Sequence, residues 1–138
     1  MLYALSTLHL LAILVVALIA FMLGGLWYSV LFGKMWMKEM HFTEEQMKSK
    51  EGIGRIFGGA FLLTLVSTIT LATLIAAHRI NQVPAGIEMG LFVGIGLVAA
   101  RHATNALFEM RTLRHVLIVA GYDVTLCAMQ GAILAVWR

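Results

Sequence analysis

Charge is what this sequence most lacks. Residues 2–33 contain no Asp, Glu, Lys or Arg, and residues 56–77 contain neither charge nor histidine. Charged residues make up 12% of the chain, against about 25% in a soluble domain, and hydrophobic residues 61%. Mean hydropathy is +0.91. These values exclude a soluble globular domain and leave no length for a second one. The single cysteine, Cys127, excludes an intrachain disulfide, so the redox compartment cannot be read from it. There is a single proline, Pro84. Metalloprotease, CxxC, phosphate-loop and nucleophile-elbow patterns are all missing, so no positive argument for an enzyme exists. The net charge of +3 is small and forms no basic stripe, which argues against nucleic acid as a partner.

What is present is apolar sequence in span-length pieces. Four helices are expected at about 6–31, 56–77, 85–108 and 115–137, within one membrane domain covering residues 1–138. Each run is long enough to cross about 30 Å of hydrocarbon. Pro84 falls where the third helix should begin, a position that tolerates it. The polar loop of about 33–54 carries a capping-box pattern, Thr43-Glu44-Glu45-Gln46. A short amphipathic helix is therefore expected at about 44–50, lying with Trp36, Met37 and Met40 against the membrane surface. The fold class is all-α, an integral membrane four-helix bundle in contact with lipid.

Basic residues give the orientation. One side of such a bundle holds Lys34, Lys38, Lys48, Lys50, Arg55, Arg111 and Arg114, and the other only Arg79 and Arg138. The positive-inside rule then places both termini outside the cytoplasm.

Two charges interrupt the last two apolar runs. Arg101 and Asp123 each lie 11 residues from Thr112, in the turn between them. In an antiparallel hairpin this puts both at one depth, where a charge costs about 2.5–3.5 kcal/mol on insertion scales. Uninterrupted helix geometry also places Gly86, Gly90, Gly94, Arg101 and Asn105 within an arc of about 100°. On the last helix Val116, Ala120, Asp123, Cys127, Gln130 and Leu134 share a face. An intramembrane Arg101–Asp123 ion pair is expected, with Asn105 nearby. Its role is either to fix the register of the hairpin or to take part in proton or ion movement. The Gly86, Gly90 and Gly94 run suits close helix packing, within the chain or between subunits.

Histidines offer a further reading. His9 and His78 lie near one end of the first two helices, and two imidazoles can ligate haem iron. No attachment motif supports it, so no cofactor and no metal is assigned. His102 lies about 100° round from Arg101 and is expected to face a different neighbour. His41 and His115 are expected to be solvated. The hydroxyls of Thr64, Ser67, Thr68, Thr70 and Thr73 are expected to bond back to their own helix. Glu109 is expected in a surface ion pair near Arg111 and Arg114.

Leu26-Trp27-Tyr28-Ser29, Leu31-Phe32-Gly33-Lys34, Trp36-Met37 and Phe42-Thr43-Glu44-Glu45 resemble the opening of a bacterial membrane family, domain of unknown function 1761. Thr104-Asn105-Ala106-Leu107-Phe108-Glu109 with Arg111 resembles its second hallmark. Ala120-Gly121-Tyr122 and Gly131-Ala132-Ile133-Leu134-Ala135 resemble its last helix. The sequence departs from the pattern at Val30, usually proline, at Met110, commonly glycine, and at Asp123, usually apolar or aromatic. The resemblance implies a four-helix inner-membrane protein and no established activity. It draws attention to Trp27, Tyr28, Lys34, Trp36, Asn105, Glu109 and Arg111, which would cluster where the first loop meets the end of the third helix.

Three functional readings follow. The first is a small homo-oligomeric membrane assembly, a dimer or trimer. The second is a proton-coupled transporter or channel using Arg101 and Asp123, or Glu109. The third is a haem- or cofactor-binding protein using His9 and His78.

Overall fold

A computed structural model describes residues 9–41 and 53–137. The described residues form helices joined by short turns, and four helices are long and apolar enough to cross a membrane. Helix α1 runs from Leu10 to Gly25 and continues through a π-helical turn, Leu26–Leu31. Helix α2, Gly33–Met40, follows after one residue. Helix α3 is Ile53–Ala77. Helix α4 has three parts: Val83–Val93, a π-helical turn at Gly94–Ala99, and Ala100–Phe108. Helix α5 is Leu113–Val136. The capping-box segment, and with it the helix expected at about 44–50, lies outside the described residues.

Helix α2 occupies part of the stretch read from the sequence as loop. Its sequence explains why it is a helix. Trp36, Met37 and Met40 fall on one side and are partly buried, while Lys34 and Lys38, four residues apart, are exposed on the other. Pro84 sits in the first turn of α4, as expected from its fixed φ and missing N–H.

Helix α5 is the hub, packing against α1, α3 and α4. Its closest partner is α4, and the seam is made of glycines. A Cβ on Gly86 would run into the Gly131 carbonyl, and one on Gly90 into the Cys127 carbonyl. Gly131 faces Gly86 in the same way. Without side chains the two backbones approach until they touch, and dispersion over that seam substitutes for the hydrophobic effect that lipid cannot supply. The Gly86, Gly90 and Gly94 stripe is thus taken up within the chain. The intersubunit role that the sequence also allowed has no free surface there.

A dry core lies at the end away from the lysines. Ile13 and Val16 of α1, Leu71, Ala72 and Ile75 of α3, and Leu134 of α5 fill it. Many large apolar side chains point outward, including Leu10, Leu63, Phe92 and Phe108, as they must where hydrocarbon is the solvent. The α3 hydroxyls bond back to their own helix: Thr64 to the Ala60 carbonyl, Ser67 and Thr68 to Thr64, Thr70 to Val66, Thr73 to Ile69. Between Gly54 and Ala60 this helix is exposed on all sides.

Candidate functional site

The polar residues of the spans gather at the end that carries α2 and the α4–α5 turn, here the basic end. The turn is closed by Thr112, the N-cap of α5, whose hydroxyl accepts from the His115 N–H at 3.1 Å. The same hydroxyl donates to the Glu39 carboxylate of α2. Glu39 also lies 3.9 Å from the Arg114 guanidinium. One acid thus ties α2 to the start of α5. Just before, Arg111 Nε pairs with Glu109 Oε2 at 3.1 Å, a local surface pair. Between them Met110 has φ of 54°, in the left-handed region that favours glycine. This gives a backbone reason for the glycine common in the family pattern at that position.

The aromatic residues of the first motif form a clamp on α5. Trp27 Nε1 donates to the Ile118 carbonyl at 3.0 Å. Its ring lies 4.8 Å from Phe32 and 6.1 Å from Tyr122. Tyr28 sits between Trp36 of α2 and Tyr122 of α5, with centroids at 5.4 and 5.1 Å. These positions follow from the π-helical turn, where the Phe32 N–H reaches back five residues to the Trp27 carbonyl. The extra residue in the turn lets adjacent Trp27 and Tyr28 both engage α5.

The second π-helical turn overturns the expected ion pair. The Ala100 N–H bonds to the Ile95 carbonyl, five residues back. One additional residue in that turn rotates everything beyond it by about 100° relative to an uninterrupted helix. His102 therefore takes the face assigned to Arg101, and Ala106 the face assigned to Asn105. Ala106 is 3% exposed, whereas Asn105 and Arg101 are exposed. No ion pair joins Arg101 to Asp123. The basic side chain within electrostatic reach of Asp123 is His102.

His102 and His115 face each other, ring centroids 6.0 Å apart and planes tilted by 30°. His115, expected to be solvated, is 8% exposed. His102 Nε2 and His115 Nδ1 are buried and make no hydrogen bond. Neutral imidazole offers one donor and one acceptor nitrogen, so each ring has a position open to a proton or a small polar molecule. Glu39, Glu109 and Arg111 approach His115 from the basic end. Beyond the histidines lies Asp123, with Tyr28, Tyr122 and Cys127 around it. Farther along α5, Gln130 is 1% exposed and donates to Thr68 Oγ1 at 2.7 Å, with its own Oε1 left over. Polar groups thus run along α5 from the basic end as far as Gln130, one turn short of Leu134 in the dry core.

The cluster inferred from the family motifs divides into two groups and two exposed residues. Trp27, Tyr28 and Trp36 clamp α5, Glu109 and Arg111 pair with each other, and Lys34 and Asn105 are exposed. His9 and His78 are exposed, and the His78 ring nitrogen Nδ1 lies 2.9 Å from the Leu74 carbonyl of its own helix. No set of three or more His, Cys, Asp or Glu side chains able to hold a metal occurs among the described residues. The inward face of His102 is hidden from the sequence because the π-helical turn leaves no mark in hydrophobic periodicity, and that of His115 because the residue stands beside the charged turn Glu109–Arg114.

The chain gave no match among the curated proteins or the solved structures. It does match one family model, described as Protein of unknown function (DUF1761), over residues 11–135. The match spans α1 to the last turn of α5, and so includes the aromatic clamp, the histidine pair and the glycine seam. The protein is accordingly a member of the DUF1761 family, with four membrane-span helices and an activity that the family description leaves open.

Proposed function

We propose that this protein is a small proton-coupled membrane carrier, not an enzyme, in which His102, His115 and Asp123 take up and pass the proton. One observation carries the reading: the half-buried His102 and the buried His115 face each other, each with a buried, unpartnered ring nitrogen, and His102 lies within reach of a carboxyl at mid-depth. Imidazole is the side chain that changes charge most readily near neutral pH. An acid inside a span is costly to keep and marks ion or proton pathways where it persists. Glu39 and Glu109, at the basic end, would feed the pair.

A pH jump across proteoliposomes tests this without knowledge of the co-transported solute. Protonating a group at mid-depth moves charge through part of the membrane, giving a transient current on a supported membrane. His102→Gln, His115→Gln and Asp123→Asn should each abolish it, and Arg101→Gln should leave it intact. A current unchanged in all three site variants would remove the proposal.

A specific observation also favours a homo-oligomer. Arg101, Thr104 and Asn105, at spacings of three and four, form an exposed polar stripe on α4 between apolar Leu97 and Phe108. Lipid is a poor neighbour for that stripe, and a second copy could hydrogen-bond it. Native mass spectrometry from bilayer discs should give a dimer or trimer, and Asn105→Leu should shift it toward monomer. A monomeric wild type in the same discs would refute this reading. Both termini are placed on the non-cytoplasmic side of a bacterial inner membrane, on the strength of the basic-residue count.

A further inference from the structure

On the outer side of the aromatic clamp, a groove of about 600 Å³ opens between the first turns of α5 and the α1–α2 junction. One wall is Trp27, Phe32 and Met35, and the other is Leu117 and Gly121. Gly121 has no side chain to cover the indole, and a Cβ there would stand 3.5 Å from Trp27. The one polar group of the indole, Nε1, is already committed to the Ile118 carbonyl. The groove therefore has nothing to offer a polar molecule along its length. Charge enters only at one end, where Arg114 begins α5. Its side chain is 59% exposed and meets Glu39 only at 3.9 Å, too long for a tight bidentate pair. An apolar trough ending in a single guanidinium, at the level where a span begins, complements an amphiphile with an anionic head and a hydrocarbon tail.

We infer that this groove is a binding site for an anionic phospholipid, its acyl chain lying along Trp27 and Leu117 and its phosphate on Arg114. Arginine suits the phosphate because its planar fork presents parallel donors to two oxygens. Its rim is exposed and apolar at Met35, Leu113 and Leu117, so the ligand would arrive from the surrounding leaflet. Indole and Phe32 are fixed by their own contacts, so little ordering is needed when the chain enters. The site adjoins the histidine pair through Glu39 but does not depend on the proton reading.

Native mass spectrometry of the full chain released from discs of equimolar phosphatidylglycerol and phosphatidylcholine tests it. One retained phosphatidylglycerol per chain is expected, favoured over phosphatidylcholine by about fivefold, the scale of one basic side chain at the membrane surface. Arg114→Gln should remove the headgroup preference while a lipid is still retained. Leu117→Trp, at a position already exposed, should fill the trough and remove retention of both lipids. Equal retention of the two lipids by the wild type would overturn the inference. So would a preference that survives Arg114→Gln, or one that survives Leu117→Trp and disappears in a Lys34→Gln, Lys38→Gln double variant. The last pattern would assign the preference to the general charge of α2.

Discussion

The two ends of the α4–α5 hairpin are built on opposite rules. Toward the dry core, Gly86, Gly90 and Gly131 let backbone lie on backbone, with no polar side chain between the helices. Toward the basic end the same helices are held apart by imidazole rings, and α5 is gripped by indole and phenol from α1. The first arrangement has one solution, because carbonyls cannot move aside. The second leaves ring nitrogens unpartnered and a carboxyl at mid-depth. Rigidity and chemistry are thus separated along one hairpin, and the π-helical turn at Gly94–Ala99 is the boundary between them.

The contrast is most directly broken at the seam. Gly90→Leu should cost about 3 kcal/mol or more, since the new side chain meets the Cys127 backbone and neither helix can yield locally. Thermal unfolding in mild detergent reads this, and Gly96→Leu, whose Cβ would meet nothing within 4 Å, is the control. At the other end Trp27→Phe keeps an aromatic ring and removes the bond to the Ile118 carbonyl. A loss of about 1–1.5 kcal/mol is expected in the same assay. A loss as large as that of Gly90→Leu would mean that the clamp is as unyielding as the seam. Met110→Gly should stabilise by about 1 kcal/mol, because the residue is 92% exposed and its φ of 54° is strained for a side chain. The smallest effect sharpens the register argument. A double-mutant cycle between Arg101→Gln and Asp123→Asn should show coupling below about 0.5 kcal/mol. Deleting Gly96 removes the extra residue of the π-helical turn, and the same cycle should then show coupling, as Arg101 turns toward α5.

The span positions, the placement of Pro84, the back-bonded hydroxyls of α3 and the local Glu109–Arg111 pair were all legible in the sequence. Each depends on composition or on neighbours a turn away. The close-packing stripe of Gly86, Gly90 and Gly94 was legible too, because it precedes any irregularity in α4. Its partner was not, since periodicity marks a face without saying what covers it. Reading failed beyond residue 94. Arg101 and Asn105 share the glycine face only if α4 is regular, and the five-residue hydrogen bond from Ala100 to Ile95 makes it irregular. His102 turns inward for that reason, whereas His115, nine-tenths buried on the regular helix α5, is masked in the sequence by the charged turn beside it. Helix α2 was missed because eight residues of mixed polarity give a weak periodic signal beside four long apolar runs.

The π-helical turn in α4 separates two coordinates that membrane helices normally link. Distance along the chain still gives depth in the bilayer, since an extra residue shifts depth by only about 1.5 Å. It no longer gives azimuth. A relative lacking one residue between 94 and 99 would keep the same spans and the same turn, yet present a different side chain to α5. Functional equivalence among relatives is therefore better assigned by which side chain of α4 faces α5 than by aligned column. On that basis, what should be matched to His102 is whichever residue faces His115, whatever its neighbours in sequence.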